Sequence, residues 1–180
     1  MGFGWEGSLV RLVPLDSARH LENAVAWLAD PDVTRWTVVG DLPVSRLSEE
    51  GFFRRMEKAE GTDLVFAIET LAGEHIGFSG IQHIEQRQGV GVTGTLIGRT
   101  DLWGRGYGVD SARVRTRYAF DVLGLRLLLA ESMVGNDASL KMLKSVGYEE
   151  VGRVPRRYWK RGAYREVILL ANHRPAAGAD

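Results

Sequence analysis

The stretch that most narrows the fold is LWGRGYGVDSARVRTRYAF, residues 102–120. Gly104, Gly106 and Gly108 alternate with Arg105 and Tyr107. Directly after them Val109, Ala112, Thr116, Phe120 and Leu123 step by three and four. That is the period of one helical face, so the spacing predicts a helix over 109–123. Glycine reaches backbone conformations closed to other residues and lets an anion approach the main chain. A helix N-terminus presents unpaired N–H groups and a partial positive charge, which suits phosphate. Arg105 adds a mobile cation. A tight strand-to-helix turn with no ligand is the other reading of the same residues. Two common nucleotide loops do not fit. The dinucleotide fingerprint needs its third glycine three residues after the second, and here it follows after two. The P-loop needs Gly-Lys-Ser/Thr, which is absent.

The rest of the chain alternates between two periods. Residues 8–15 (SLVRLVPL) alternate apolar and polar and read as a strand. Leu21, Ala24, Val25 and Leu28 then share a helical face, with Asp16 or Ser17 as its cap and Pro31 as its end. Phe52, Phe53, Met56 and Ala59 mark a second helix, stopped at Gly61. Strands at 63–70 and 76–85 form a hairpin around Gly73, and a third at 92–98 leads into the glycine loop. Beyond the loop helix, 125–134 reads as a buried strand and 137–146 as a helix. Residues 149–173 read as two strands turning at Arg161 and Gly162. The order β-α-α-β-β-β-α-β-α-β-β predicts one α/β domain over 1–180, with its core at 9–171. It implies a mixed, mostly antiparallel central sheet with helices on both faces. The tail, 174–180, is expected to be disordered.

Charge and composition exclude several functions. Lys plus Arg and Asp plus Glu both number 23, so no general basic field for nucleic acid exists. The absence of cysteine removes disulfides, thiolate metal sites and a cysteine nucleophile, and fits a reducing cytoplasm. The first residues, MGFGWEGSLVRLVPLD, hold no long apolar run, so neither a signal peptide nor a membrane span is expected. The expectation is a cytoplasmic protein, monomer or homodimer, with no metal and no nucleic-acid or membrane partner.

The glycine loop resembles the signature of the GNAT acetyltransferase superfamily, Q/R-x-x-G-x-G/A between a central strand and a helix. Trp103-Gly104-Arg105-Gly106-Tyr107-Gly108 fills that frame. Trp in the first place is similar to the branch resembling ribosomal-protein N-terminal (alanine) acetyltransferases. A second segment, NDASLKMLKSVGYEEVGR, resembles the family's N-x-x-S-x-x-x-L-x-K-x-G-F/Y: Asn136, Ser139, Leu143 and Gly147 fall in register and Tyr148 takes the aromatic place. The likeness extends over 9–171. It implies a GNAT-like acetyl-CoA-binding fold, with acetyl-CoA as co-substrate. The implied acceptor is an amine, on a small molecule or a protein N-terminus. In the family the loop amides hold the pyrophosphate. Trp103 to Val109 therefore become cofactor-binding candidates.

The resemblance also implies roles around the loop. The strand before it splays from its neighbour in the family, which makes the backbone of Leu96, Ile97 and Gly98 candidates for the pantetheine and the thioester carbonyl. Asn136 has two readings, a contact to the pantetheine arm and a plain helix N-cap. Many relatives place a Tyr general acid seven residues after this Asn; here that position is Leu143, which leaves Ser139 as the candidate proton donor to the leaving sulfur. Its other reading is a first-turn Ser satisfied locally. The branch often has a basic Glu at the position of Val92, so that base is absent. Glu131, His83 and Glu85 are the remaining side-chain candidates, and a water chain is an alternative. Trp36 and His83 are expected at the acceptor mouth. A non-catalytic acyl-CoA-binding module is the competing reading of the whole chain.

Overall fold

The structure, a computed structural model, describes residues 5–58 and 62–175. Asp16 makes the first change of period physical. It follows β1 (Val10–Pro14), and its carboxylate accepts from Ala18 N to cap α1 (Ser17–Leu28). Ser45 does the same for α2 (Arg46–Glu57), accepting from Ser48 N. Ala59 and Gly61, read as the end of this helix, lie outside the described residues, as does the tail from 176 on. The remaining elements are β2 (Leu64–Thr70), β3 (His75–Glu85), β4 (Val90–Ile97), α3 (Tyr107–Asp121), β5 (Leu127–Met133), α4 (Asp137–Ser145), β6 (Glu149–Lys160) and β7 (Ala163–His173). This order matches the one predicted. A short 3-10 turn at Thr100–Leu102 is additional.

The seven strands form one sheet in the order β1-β2-β3-β4-β5-β7-β6. Every neighbouring pair is antiparallel except β4 and β5. Period-2 alternation sorts the side chains to two faces. Ala67, Leu21, Ala24 and Phe53 pack on the face covered by α1 and α2. Phe66, Ile68, Ile76 and Val114 lie on the other face. Leu128, Ala130, Leu143 and Tyr148 complete that second face beneath α3 and α4.

One feature of the sheet positions the candidate site. The parallel pair β4·β5 runs for three rungs only, Val90↔Leu127 to Val92↔Leu129. β4 then stays with β3 as far as Ile97↔Gly77, and β5 stays with β7 as far as Met133↔Val167. The sheet therefore forks. Residues 93–97 of one strand and 130–133 of the other have lost their ladder partner on the inner side. Side chains close the last rung: Thr93 Oγ1 donates to Leu129 O at 3.2 Å, and the Tyr148 phenol reaches Thr93 Oγ1 at 2.8 Å.

Candidate active site

The glycine loop stands at the open end of the fork. Gly104 and Gly106 have φ of 74° and 89°, the left-handed region. Gly106 is the N-cap of α3, with no side chain to cap it. The helix thus begins at Tyr107, two residues before its predicted start, because a left-handed glycine ends the loop there. Gly108 lies inside the first turn. The first intrahelical bond is Asp110 N to Gly106 O at 2.9 Å, so the amides of Tyr107, Gly108 and Val109 have no helical acceptor. Arg105 is exposed beside them. The loop is anchored to the strand by the Trp103 indole, whose N–H donates to Ile97 O at 2.9 Å. The helix start is anchored by Asp110, a buried carboxylate that accepts from Leu9 N at 2.7 Å and Val10 N at 3.1 Å. No motif in the sequence singles out Asp110; a carboxylate in a first turn next to the glycines is the signal that could have found it.

The strand candidates separate. Gly98 N donates to Ile76 O at 2.9 Å, so its amide faces β3 and is not free for a ligand. Its lack of a side chain has another cause: a Cβ there would lie 1.9 Å from the Trp27 ring. Backbone polar groups alternate sides along a strand. Leu96 therefore faces β3 with Gly98, whereas Ile97 and Thr95 face the fork. Thr95 is the strand residue that sequence reasoning missed. The carbonyl of Ile97 is held by Trp103, which leaves its N–H on the cleft side.

Across the fork, Asn136 is the N-cap of α4 and accepts from Ser139 N at 3.2 Å through Oδ1. The cap uses only the oxygen end of the amide. Ser139 is half-buried in the first turn, and no bond to its hydroxyl is found among the described residues. Leu143, in the place of the family's Tyr, is 3% exposed and belongs to the core. Trp36 lies over Gly135, where a Cβ would meet its ring at 3.1 Å, one residue from Asn136. The Arg35 guanidinium covers the Trp36 ring at 5.1 Å.

Glu131 sits on the freed part of β5, on the face of α1 and α2. It is not a bare carboxylate: the Tyr158 phenol donates to it at 2.6 Å and Arg157 lies at 3.5 Å. Partial burial first, and then the bond to Glu131, push the Tyr158 phenol above its usual range, so it stays a proton donor. His83 is a correction. It occupies an irregular turn of β3 with φ of 50°, exposed, beyond the Gln82↔Val92 rung on the closed side of the fork. The bulge between Gln82 and Glu85 carries it, and Glu85, away from Ser139 and Glu131. Val92 is half-buried at the last paired rung, so no carboxylate stands there.

Behind the fork lies a group that no motif announced. Arg115 on α3 is completely buried. Its Nη1 donates to Gly94 O at 2.7 Å and to Thr95 Oγ1 at 2.6 Å, with Ser79 Oγ at 3.2 Å. Nε and Nη2 have no partner among the described residues. Burial lowers its pKa from the usual guanidinium value, and the neighbouring Tyr148 phenol opposes that shift. A larger groove of about 560 Å³ lies along the outer side of α3, where Arg113, Arg117 and Arg174 meet, away from the glycine loop.

A forked sheet with a glycine-capped helix at its mouth defines the class. The chain matches the acetyltransferase (GNAT) domain over residues 10–149 and belongs to that family. The fold recurs in solved structures. The spermidine N-acetyltransferase from Vibrio cholerae, solved with CoA and spermine, has a TM-score of 0.84 at 15% identity over 91% of this chain and 95% of its own. A GNAT-family acetyltransferase from Bacillus anthracis has 0.80 at 12% identity, over 93% and 96%. A GCN5-related N-acetyltransferase from Brucella melitensis has 0.75 at 23% identity, over 93% and 77%. Among the described residues no three potential metal ligands cluster, and no helix is long and apolar enough to cross a membrane.

Proposed function

We propose that the chain is an acetyl-CoA-dependent N-acetyltransferase that carries acetyl directly to a primary amine. The observation that carries this reading is the continuity of free main chain. The amides of Tyr107 to Val109 stand at the mouth of a cleft that runs down to the last β4·β5 rung. The residues fit an extended ligand with a diphosphate at one end.

Acetyl-CoA supplies the activated acetyl thioester. The protein supplies position and charge. The first-turn amides of α3 and Arg105 hold the diphosphate. Ile97 N–H and the Thr95 backbone face the arm as strand partners would, and the amide nitrogen of Asn136 faces it from α4. Ser139 donates its proton to the leaving sulfur in this reading, a role its unengaged hydroxyl supports. Glu131, held by Tyr158 and Arg157, orients the acceptor rather than taking the proton alone. The Trp-Gly-Arg-Gly-Tyr-Gly frame resembles the ribosomal-protein branch, while the fold is also that of spermidine acetyltransferases. Neither likeness decides the acceptor.

Gly108→Val tests the cofactor half. A Cβ there would sit 3.4 Å from Met142 Sδ and 3.8 Å from Ile97, so branched methyls fill the space between α3, α4 and β4. Acetyl-CoA affinity by calorimetry should fall while the protein stays folded; unchanged affinity in a folded variant removes the assignment. Release of free CoA on presenting a panel of amines separates an enzyme from a binding module. The core position of Leu143 and the ion pair on Glu131 are what favour the module. A protein that binds acetyl-CoA yet releases none with any amine is the module.

A further inference from the structure

A second hollow, of about 240 Å³, opens beside the freed part of β5, between the segment after α1 and the β6–β7 hairpin. Val38, Leu42, Met133 and Trp159 form its apolar walls. Val38, Leu42 and Trp159 are 65%, 75% and 66% exposed, an unusual concentration of large apolar side chains in contact with water. Trp159 is steadied edge-on by Tyr164 at 4.9 Å.

The charges at this mouth are already spent on one another. Asp41 is bound by Lys160 Nζ and by Arg161 through Nε at 2.8 Å and Nη2 at 2.6 Å. Those bonds, led by Arg161, hold its carboxyl at about 2. Glu131 carries Tyr158 and Arg157. Arg161 is favoured in its charged form by Asp41 first and, more weakly, by Asp32. Arg35 adds a cation over Trp36. Among the described residues that line the hollow the one carboxylate is Asp41, so a chain of ammonium groups entering here would have to displace Lys160, which is 7% exposed. An uncharged ring or alkyl body meets apolar walls of matching size.

Resting on the acetyl-transfer reading, we infer that the acceptor is a small primary amine on an uncharged, apolar or aromatic body, and that polyamines are poor acceptors. Specificity is a difference between two affinities, and here the repulsive part is the excess of three cations, Lys160, Arg161 and Arg157, over the two carboxylates they share, Asp41 and Glu131.

The test is steady-state acetylation with 2-phenylethylamine, tryptamine, spermidine and a short peptide with a free N-terminus, all with acetyl-CoA. The arylalkylamines should exceed spermidine in kcat/KM by at least about tenfold, the low end of what one matched apolar group gives. Trp159→Ala and Leu42→Ser should raise KM for the arylalkylamines with kcat held, and leave acetyl-CoA affinity by calorimetry unchanged. Arg161→Gln, which partly frees Asp41, should raise kcat/KM for spermidine. Preference for spermidine or for the peptide overturns the inference, as does indifference of selectivity to both Trp159→Ala and Arg161→Gln. No transfer to any amine, in protein that still binds acetyl-CoA, overturns the transferase reading beneath it.

Discussion

On the α3 side of the fork the groups offered to a ligand are main chain. They are the amides after Gly106 and the released edge of β4, and they come from residues 95–109, a span of one strand, one loop and one helical turn. On the β6–β7 side they are side chains joined across the fold: Asp41 meets Lys160 and Arg161, 119 and 120 positions away. The first kind of site needs glycine spacing and a helix start, both of which are local. The second needs a completed sheet to bring its charges together. The fold that carries the first recurs in structures at 12 to 23% identity. The second can be rewritten one residue at a time, which suits the acceptor selection proposed for it.

The largest expected effect tests whether the start of α4, across the fork from the glycine loop, carries chemistry as well as binding. If Ser139 gives its proton to the leaving sulfur, Ser139→Ala should lower kcat by about 10²-fold, near the lower end for one general acid, with acetyl-CoA affinity unchanged. Only its hydroxyl is lost, because the cap bond runs from its backbone N–H to Asn136. Full turnover in the variant assigns the proton to water or another donor.

Glu131 is the matching test in the side-chain half. A dedicated base would be worth about 10²-fold or more. With a phenol and a guanidinium on its two oxygens, Glu131 should be worth less: Glu131→Gln lowers kcat/KM by less than about 10²-fold. The rise of kcat/KM with pH, set by the free amine, should survive the change. His83→Ala, on the far side of the last rung, should change neither. Collapse of activity in Glu131→Gln, with loss of an ionisation near neutrality, would make it the base and place chemistry in the half assigned here to selection.

How much of this was legible follows the same division. The eleven elements, the left-handed turn at Gly73 and the loop-to-helix junction could all be read, because period, cap and glycine act over a few residues. Why position 98 is glycine could not be read, because its reason is Trp27, 71 positions earlier. His83 was misplaced because a bulge, invisible in an apolar count, throws it out of the sheet. Arg115 was invisible because a polar residue on a predicted helix is assigned to solvent by default.

Arg115 also offers the third test, as a fully buried cation in the main-chain half. A buried guanidinium without a carboxylate costs several kcal/mol that its three bonds offset only in part. Arg115→Leu should therefore be neutral to folding or stabilising, by up to a few kcal/mol in urea denaturation. The same change removes a support from Thr95, the strand residue that borders the fork, so KM for acetyl-CoA should rise. A variant that loses stability and keeps its KM would make Arg115 a plain structural strut.

The smallest effect concerns the support beneath the end of β4, where Gly98 rests on Trp27. His75 lies against that indole at 4.7 Å and against His20 at 4.5 Å. Its Nε2 donates to Gly77 O at 3.0 Å, and Nδ1 accepts from Asn23 Nδ2 at 3.0 Å, so both nitrogens are engaged in the neutral form. Burial first, and then the neighbouring His20, lower its pKa from 6.5 to about 4. Between those values the unfolded chain binds a proton that the folded one refuses. Stability must then rise with pH across the window: its contribution is whole above pH 6.5 and is lost as pH falls toward 4. Glu49, whose carboxyl is raised by burial, works in the opposite direction, so the comparison has to be made against a variant. His75→Gln keeps a donor for Gly77 O and cannot titrate. The difference in Tm between wild type and His75→Gln should shift against the wild type as pH falls from 6.5 to 4. A difference that stays constant across that range would mean His75 is protonated in the fold, and the end of β4 would then rest on a charged ring.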